Sequence, residues 1–589
     1  MKTKMLSSGK IFHHPVLLLL LYFLITGILL YTIDYCPKAA IERMLIKGLP
    51  WVLLANAALI LIGIVFCRQE IAAFFQKLFV LPPRKINYQG ILLVLVVVFA
   101  LVMASFVAPR THRIYFDEDI YAHIGQNIAL THQAAASNYG EFVHGEYQPD
   151  WLAYNKEPGG WPFLISLAFQ IFGVDEAHAF TLNNILLAAG AGLVFMLALQ
   201  ITGSFPPAIL AALIYSLIPH NLLWANTAAA EPAAAFFALA CLLGLAVYLK
   251  TQQWRHLYLL AVLLPFAGQM RPESVLIVPL SLLAIVLIRP GSLQSRPFWG
   301  AGLITYILLA PLLIHFYAVS GQSWGAEGAK FSLAFFQNNI SANGWYYLNN
   351  VKFPVLFTLF ALLGLFFSRY SARWKIILFL WFAIFWGIFL FFYAGSYRYG
   401  ADVRFAVVSF APLAILAGLG VEWMKNRLQP IVSGTNATII LVLILLFSWI
   451  QFLPMIRLVG QEAWEARADH RLTREFVKNI PGRAIVVSHI PSMLLLWGKS
   501  AVSVNGSLNN PDFMRNLIRK HEGEVYFHHN YWCHALLESK TGVLRELKQN
   551  YDLEEIAADS STGRLFGLYR IRIKEGKEKG GQDFSLRSK

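Results

Sequence analysis

The sequence predicts an all-α membrane protein that crosses the bilayer many times and ends in a small soluble α/β domain. Of its 589 residues, 57% are hydrophobic and only 14% are charged. A chain of this length that folded in water would need far more charged residues to cover its surface. Apolar runs of about 20 residues, the length of a membrane-spanning helix, recur along most of the chain. These observations indicate a polytopic membrane protein.

About thirteen apolar runs reach or approach the length that a membrane helix needs. The first run follows a basic N-terminus, but it is long enough to span and no small-residue cleavage pattern follows it. We therefore interpret it as a helix rather than a signal peptide. The predicted spans lie near residues 15–34, 50–67, 90–108, 177–200, 206–224, 231–249, 255–270, 274–288, 299–319, 353–368, 375–393, 404–424 and 436–455.

The basic residues predict the orientation of the chain in the membrane. If the N-terminus lies in the cytoplasm, every short loop on the same side is rich in lysine and arginine, as the positive-inside rule requires. The net charge of +15 then reflects loops that face anionic lipid, and we expect no nucleic-acid partner. We predict a multi-pass protein of the inner (plasma) membrane whose larger polar loops and C-terminal domain lie outside the cytoplasm.

Residues 115–158 form a polar stretch between two apolar regions, with these charged residues at its two ends: Asp117, Glu118, Asp119, Lys156 and Glu157. A carboxylate here could take a proton from a hydroxyl group or hold a divalent cation, and the lysine could bind a phosphate. The alternative for the acids is a solvated helix start, since acidic residues are favoured in a first helical turn. The alternative for the lysine is a side chain that snorkels at the interface.

Three more charged residues stand at the ends of apolar runs. Glu231 opens an otherwise uncharged run, and Pro232 suits the first position of a helix. A carboxylate at the mouth of a membrane helix is costly without a partner, which indicates a function. Arg271 and Arg404 also lie at such ends, and arginine is suited to bidentate phosphate recognition. The alternatives are a simple pair between Arg271 and Glu273 and an interfacial anchor at Arg404.

The composition becomes that of a soluble domain after residue 455. Short β-rich segments alternate there with helical ones, which is typical of an α/β domain. The predicted strands are AIVVSH (484–489), AVSVN (501–505), EVYFHH (524–529) and RLFGLYRIRI (564–573). We assign residues 456–575 to this extracytoplasmic domain, with an exposed, charged helix over 462–478 and a disordered tail over 576–589. Neither the four scattered cysteines nor the histidines of YFHHNYWCH have the spacing of a structural zinc site.

Three motifs, in order along the chain, carry a resemblance to a known enzyme family. They are FDEDIYAHIGQNIA (116–129), YNKEPGGWPFLISLAFQIFG (154–173) and AEPAAAFF (230–237). Together with YRYGADVRFAVVSFAPLAILAG (397–418), they resemble the GT-C glycosyltransferases, in particular the protein O-mannosyltransferases and the lipid A aminoarabinose transferase. Enzymes of this family have many membrane helices and take a sugar from a polyprenyl phosphate on the extracytoplasmic side.

The resemblance implies a GT-C catalytic domain over residues 90–455, preceded by two additional membrane helices within residues 1–89. The amphipathic segment 161–173 is expected to lie in the membrane interface, and the long loop 320–352 to cover the site. The implied catalytic residues are Asp117, Glu118 and Glu231. The implied donor-phosphate contacts are Lys156, Arg271 and Arg404.

One position departs from the family. Ile120 stands where the aminoarabinose enzyme has an arginine, which increases the weight on Arg271 and Arg404 as phosphate contacts. Whether the reaction needs no cofactor or a divalent cation stays open from the sequence. If a cation is used, Asp117 and Glu231 are its expected ligands.

The activity that the resemblance implies is an inverting transfer of a sugar from a polyprenyl-phosphate donor to an extracytoplasmic acceptor, either a glycan, a lipid or a protein. The alternatives are a transporter or flippase, another GT-C activity such as an oligosaccharide ligase, and a non-catalytic scaffold. Transporters usually show repeated halves and helices broken near the middle of the bilayer. Here no repeat is visible and the polar residues collect on one side, which favours the enzyme.

Overall fold

The computed structural model describes residues 15–81, 85–86, 88–398, 400–508, 510–534 and 542–574. The predicted tail, residues 576–589, lies outside them. The helices up to residue 457 are α1 (Pro15–Tyr35), α2 (Lys38–Phe66), α3 (Arg68–Phe79), α4 (Tyr88–Val102), α5 (Asp117–Thr131), α6 (Gly160–Phe172), α7 (Glu176–Thr202), α8 (Phe205–Leu217), α9 (Pro219–Ala225), α10 (Glu231–Thr251), α11 (Trp254–Gly268), α12 (Ile277–Ile288), α13 (Arg296–Ala318), α14 (Phe336–Leu348), α15 (Val355–Phe367), α16 (Ala372–Gly387), α17 (Phe410–Leu428), α18 (Gly434–Ile450) and α19 (Leu453–Arg457).

The C-terminal region adds helices α20 (Trp464–Phe476), α21 (Pro491–Leu496), α22 (Val504–Leu508), α23 (Pro511–Lys520) and α24 (Val543–Asn550). The strands are β1 (Val80–Leu81), β2 (Lys85–Ile86), β3 (Ala136–Val143), β4 (Glu146–Ala153), β5 (Ile485–Ser488), β6 (Ser500–Ser503), β7 (Val525–His529), β8 (Tyr551–Asp559) and β9 (Phe566–Ile573). The strands predicted at 484–489, 501–505, 524–529 and 564–573 are confirmed as β5, β6, β7 and β9.

Eight helices among the described residues are long and apolar enough to cross a membrane, or nine if α8 and α9, bent by 61°, form one span. Each predicted apolar run overlaps one of the helices, so the positions of the runs are confirmed. The predicted count of thirteen spans is not confirmed, because α11, α12, α15 and α18 have only 15, 12, 13 and 17 residues. The chain is a multi-pass membrane protein.

Helix α17 is the most enclosed part of the membrane region. An apolar window of 18 residues within Gly400–Leu428, the segment that includes α17, is buried throughout. Gly364 of α15 and Gly420 of α17 lie at the contact of these helices, where a Cβ on either residue would collide with the main chain of the other helix. Small residues of this kind let membrane helices approach closely. The 3₁₀ segment that carries Arg404 (Gly400–Ser409) therefore leads into a fixed helix.

The described soluble region contains one seven-stranded sheet whose strand order is β4-β3-β6-β5-β7-β9-β8. Strand β5 runs parallel to β6 and β7, and the other pairs are antiparallel. Strands β3 and β4 come from the polar stretch 115–158, and β3 pairs with β6. The strands of the predicted domain 456–575 therefore share a sheet with the hairpin of the first loop.

The sequence analysis did not predict strands β3 and β4. Their residues include Asn, Gly, Glu and Pro, which are uncommon in strands, and the burial of their side chains does not alternate regularly. The turn between them consists of His144 and Gly145, with φ angles of 52° and 85°. Two consecutive positive φ angles are typical of a type I′ hairpin turn, in which Asn-Gly or Asp-Gly is the usual pair. A histidine in the first position gave no such signal.

Helix α20 differs from the exposed helix predicted over 462–478. Its charged residues line one face, but Asp469, His470 and Thr473 are buried between the sheet and the first loop. Asp469 Oδ1 lies 2.8 Å from Nε2 of the buried His528 on β7. The helix is thus a structural link between the two parts of the sheet-bearing region, since its polar side chains find partners on both sides.

The predicted mobile loop 320–352 is partly helical, because it contains α14. Asn339 of α14 donates hydrogen bonds to the main-chain oxygens of Phe389 and Phe392, at 3.1 and 2.9 Å. The segment is therefore tied to the end of α16. Trp324 and Phe331, which precede α14, line the cavity described next.

Candidate active site

A cavity of about 310 Å³ brings together charged residues from four separate parts of the chain. Asp117 begins α5, Lys156 lies in the turn between β4 and α6, Arg271 follows α11, and Arg404 precedes α17. The remaining wall is mostly apolar and aromatic, and includes Val275, Leu276, Phe316, Trp324, Phe331, Phe389, Phe392, Tyr393 and Phe405. The cavity combines a few charged groups with an apolar wall, as ligand sites usually do.

Lys156 is held in place through its main chain. Nε2 of His315, on α13, lies 3.2 Å from the main-chain oxygen of Lys156, and His315 Nδ1 lies 2.8 Å from the hydroxyl of Tyr154. Four residues further on, the main-chain N–H of Gly160 donates to the oxygen of Gln269 at 2.8 Å. A Cβ at Gly160 would lie 2.5 Å from that oxygen. The glycine is therefore required for the close approach that sets Lys156 beside the 269–271 turn.

The two arginines converge on one carboxylate. Arg271 Nη1 donates to Oε1 of Glu231 at 2.7 Å, and Arg271 Nε donates to Oε1 of Glu273 at 2.6 Å. Arg404 Nε lies 3.2 Å from the same oxygen of Glu231 as an ion pair, without the angle of a hydrogen bond. Both guanidiniums also lie over the ring of Phe405, at 5.6 and 4.8 Å from its centre. This arrangement fixes both cations at the edge of the cavity.

Glu231 was predicted to be catalytic, but it does not line the cavity. It is almost fully buried and faces Arg271 and Arg404. In the structure this buried carboxylate neutralises and orients two guanidiniums, as buried charges require a partner. The alternative reading of Arg271 as a simple partner of Glu273 is thus incomplete, because Glu231 is a second partner.

Glu118 was also predicted to be catalytic, and it too lies outside the cavity. Its Oε1 accepts hydrogen bonds from the main-chain N–H groups of Arg113 and Ile114, and its Oε2 accepts one from Ala228, at 2.7, 3.1 and 2.7 Å. The carboxylate therefore joins the start of α5 to the segment that leads into α10. These hydrogen bonds tie the helix turn that begins with Asp117 to the segment that precedes Glu231.

Glu157 lines the cavity but was not chosen from the sequence as a site residue. Partial burial, opposed by the positive charge of Arg271, raises the pKa of Glu157 above its ordinary value. Its position beside Lys156 in NKEP was the only signal that the sequence offered. The aromatic wall was also missed, because Phe389 and Phe392 read as part of an ordinary membrane span.

The residues at the predicted cation site do not fit a divalent metal ion. Oε1 of Glu231 already faces the guanidiniums of Arg271 and Arg404, at 2.7 and 3.2 Å. Divalent cations prefer sites rich in carboxylate and carbonyl oxygens, and two fixed positive charges would repel a third. The sugar transfer is therefore derived without a metal ion between Asp117 and Glu231.

Comparison with known proteins identifies the kind of protein to which this site belongs. Residues 156–315 match the family model described as dolichyl-phosphate-mannose-protein mannosyltransferase. The structure is similar to ArnT from Cupriavidus metallidurans bound to undecaprenyl phosphate, with 14% identity over 81% of this chain and 97% of that chain and a TM-score of 0.51. It is also similar to the oligosaccharyltransferase AglB from Archaeoglobus fulgidus, with 13% identity over 82% and 74% of the two chains and a TM-score of 0.48. A sequence comparison with curated proteins gave no match.

The family match and the structural likeness confirm the resemblance that the motifs predicted. The matched range contains Lys156, Glu231 and Arg271. The likeness to ArnT extends over nearly the whole of that chain and shows a shared GT-C fold. The chain is a membrane glycosyltransferase, and the transporter alternative is not supported.

Proposed function

We propose that this membrane glycosyltransferase moves a sugar from a polyprenyl-phosphate donor to an acceptor outside the cytoplasm, with inversion at the anomeric carbon. The observation that carries the proposal is the meeting of Asp117 with Lys156, Arg271 and Arg404 around one cavity. A carboxylate suits proton transfer from an acceptor hydroxyl, and fixed cations suit a phosphate leaving group. Undecaprenyl phosphate, the lipid bound to ArnT, is the first candidate for the lipid part.

The cations of the cavity are suited to the charge that develops on the departing phosphate. Glu231 and Glu273 largely neutralise the charges of Arg271 and Arg404. These arginines therefore contribute to phosphate binding mainly through N–H groups of fixed direction, and less through net positive charge. Lys156 makes no ion pair among the described residues, so its ammonium group supplies the positive charge. Such preorganised groups are worth about 3–4 kcal/mol each when they face a developing charge.

Asp117 is the group proposed to act on the acceptor. It is the first residue of α5 and is partly exposed to the cavity. Its carboxylate forms no ion pair with any described residue. As the acceptor oxygen attacks the anomeric carbon from the face opposite the phosphate, Asp117 accepts its proton. The bond from the anomeric carbon to the phosphate oxygen breaks in the same displacement, and the polyprenyl phosphate leaves.

The apolar wall provides a path for the lipid chain. Phe316 lies near the end of α13, Val275 and Leu276 lie in the 3₁₀ turn before α12, and Phe389 and Phe392 follow α16. An isoprenoid chain that replaces water along these side chains is stabilised by about 25 cal/mol per Å² of apolar surface that becomes buried. The phosphate would thus be held at the charged end of the cavity with the tail directed toward lipid.

Purified protein in lipid nanodiscs, supplied with labelled undecaprenyl-phosphate sugars, tests the proposal. We expect Asp117→Asn to lower sugar transfer or release by about 10²–10⁴-fold, the usual contribution of a positioned general base. Lys156→Ala should lower turnover and also weaken donor binding, because it removes the unpaired cation. The readouts are release of labelled sugar and binding of fluorescent undecaprenyl phosphate.

Matched controls separate these effects from loss of folding. Asp150→Asn changes an exposed acid of the same loop, and Lys478→Ala changes an exposed lysine of the C-terminal region, so both should keep wild-type activity. Wild-type rates in Asp117→Asn would remove the proposed base. Failure of the wild-type chain to turn over any donor in a panel of undecaprenyl-phosphate hexoses and pentoses would contradict the proposed function.

We further propose the inner membrane as the location, with the N-terminus in the cytoplasm and the cavity on the opposite side. In that orientation the α17–α18 connection is cytoplasmic and the β8–β9 turn is extracytoplasmic. In a chain whose four cysteines are replaced by serine, a membrane-impermeant maleimide should label Ser560→Cys but not Ile431→Cys in intact cells. The reverse labelling pattern would show the opposite orientation.

A further inference from the structure

A cluster of buried ligand-type side chains lies outside the cavity, where the first polar loop meets α20. One donor atom from each of His112, Asp119 and His470 lies within 4.8 Å of the other two. His112 precedes α5, Asp119 is in its first turn, and His470 is on α20. The two imidazole rings are stacked, with centres 4.6 Å apart and planes at 22°.

Hydrogen bonds set the orientation of both rings. His112 Nδ1 lies 3.1 Å from Oε2 of Glu118, and His470 Nδ1 lies 2.7 Å from the main-chain oxygen of Ala466. Carboxylate and carbonyl oxygens only accept hydrogen bonds, so each Nδ1 carries the proton and donates. The two Nε2 atoms face the cluster: His470 Nε2 lies 2.9 Å from Oδ1 of Asp119, and His112 Nε2 lies 3.7 Å from Oε2 of Glu176. This pattern, with one ring nitrogen bound to an oxygen acceptor, is the one that orients histidine ligands of metal ions.

Protons alone leave several acceptors of the cluster unmatched. Oδ2 of Asp119 and Oε2 of Glu176 are buried and have no hydrogen-bond partner. Oε2 of Glu176 lies 3.7 Å from His112 Nε2. Burying such oxygens without a partner is costly. One cation bound between them would satisfy all of these atoms.

We propose that His112, Asp119 and His470 bind a zinc ion, with Glu176 placed to supply a fourth ligand. Zinc prefers four nitrogen, sulfur or oxygen ligands in a tetrahedron, with bonds of about 2.0–2.2 Å that set the donors roughly 3.3 Å apart. The donor atoms of the cluster lie within 4.8 Å of one another and would have to close to that spacing around the ion. The cluster borders an open cleft of about 510 Å³, which gives the ion a path from solvent.

The ion would act as a structural clamp. It would connect the first turn of α5, which begins with Asp117, to α20 of the C-terminal region. Because ligand binding to the native state adds to the free energy of unfolding, zinc should raise the melting temperature of the chain. The clamp is separate from the sugar-transfer mechanism, so its test does not depend on the proposed function.

The test measures metal content and needs no substrate. Full-length protein is purified through a tag without histidine and its zinc is measured by mass spectrometry. We expect about one zinc per wild-type chain, and loss of most of it in His112→Gln and in His470→Gln. His489→Gln, which changes a histidine of the same region outside the cluster, is the matched control and should retain the zinc.

A second measurement uses only the wild-type chain, in case the variants fold poorly. Chelator-treated protein is titrated with Zn²⁺ and, separately, with Co²⁺. We expect a higher melting temperature with one equivalent of zinc, and the visible absorption bands of tetrahedral cobalt without a thiolate charge-transfer band. Absence of binding by the wild-type chain, or full zinc content in both His112→Gln and His470→Gln, would overturn the proposal.

Discussion

The contacts of Glu231 show how one side chain sets the charge of the cavity. Its Oε1 faces Arg271 and Arg404, and both guanidiniums also rest on Phe405. The arginines are therefore fixed by two kinds of contact, electrostatic and cation–π. This leaves Lys156 as the cation that a ligand meets without having to displace a protein carboxylate.

Glu157 provides a prediction that depends on pH. Burial raises its pKa above the ordinary value of 4.5, so the folded chain holds this proton more tightly than the unfolded chain. The resulting stability is present at low pH and is lost as the pH rises through the raised pKa. The glutamine of Glu157→Gln stays neutral at every pH and does not lose stability by ionising. The melting temperature of the variant minus that of the wild type should therefore increase as the pH rises from about 4.5.

Melting temperatures measured from pH 4.5 to pH 8 in detergent check this expectation. Glu327→Gln, which changes an exposed acid of the 320–352 segment, serves as the control and should follow the wild-type curve. Parallel curves for Glu157→Gln and the wild type would mean that the surroundings do not raise the pKa of Glu157.

At the residue scale, four charged residues that line the cavity were predicted from the sequence, but Glu157 and the partners of these groups were not. Asp117, Lys156, Arg271 and Arg404 were found because charges at the ends of membrane helices are costly and therefore informative. The partners of Glu118 could not be predicted, because one of its three main-chain donors belongs to Ala228, on a distant loop. The type of a residue indicates the role that its side chain can play. The residue with which that side chain forms its hydrogen bonds or ion pairs depends on the fold.

The β3–β4 hairpin is attached to the C-terminal region through a charged contact as well as through the sheet. Glu141 of β3 is buried and lies 2.6 Å from Nζ of Lys520 on α23. Contacts with His521 and Lys520 lower the pKa of Glu141 from 4.5 to about 2. The ionised carboxylate thus stabilises the junction between the loop and the C-terminal region.

This contact predicts an acid-sensitive junction. A lowered carboxyl pKa contributes stability above pH 4.5 that is lost as the pH falls from 4.5 towards 2. Glu141→Gln removes the contribution, so the variant should be less stable than the wild type at pH 6 and the difference should shrink as the pH falls below 4.5. Urea unfolding of the purified chain at several pH values measures it.

Glu146→Gln is the matched control for the hairpin, since Glu146 is exposed on the neighbouring strand. Its unfolding should depend on pH as that of the wild type does. A stability difference between Glu141→Gln and the wild type that stays constant from pH 6 to pH 3 would contradict the assignment of the lowered pKa to Glu141.

At the scale of elements, the apolar runs and the β-rich segments of the C-terminal region were predictable because each carries a local pattern. The hairpin was not, since its residues have low strand propensity and the turn His144–Gly145 departs from the usual Asn-Gly pair. Helix α20 was predicted as a helix. Its polar face is buried in the structure, but in the sequence such a face cannot be told from one that is exposed to solvent. Local sequence does not reveal that Asp469 faces a buried histidine.

The whole molecule is held together by the sheet that joins the first loop to the C-terminal strands. A chain ending at Arg457 lacks β5 to β9, so β3 would expose an unpaired edge next to apolar side chains such as Phe142. Exposed edges of this kind promote aggregation. We expect this truncated chain to aggregate or to be degraded, and to lack transferase activity even though it retains Asp117, Lys156, Arg271 and Arg404.

Size-exclusion chromatography of fluorescent fusions, with the sugar-release assay, measures this outcome. A chain ending at Lys574 is the matched control, because it keeps every described residue of the sheet, and it should behave as the full chain does. A monodisperse and active chain ending at Arg457 would contradict the dependence of the first loop on the C-terminal strands.

The pairing of β3 with β6 also has a consequence for the synthesis of the protein. A hydrogen bond at this pairing, from Phe142 N to Ser500 Oγ, joins residues that are 358 positions apart. Ribosomes add about 5–20 residues per second, so β6 emerges on the order of tens of seconds after β3. During that interval the nascent chain gains most of its membrane helices, but the loop that carries Asp117 and Lys156 still lacks its partner strand. The transferase therefore becomes competent only near the end of its own translation, and a stalled ribosome leaves an inactive chain in the bilayer.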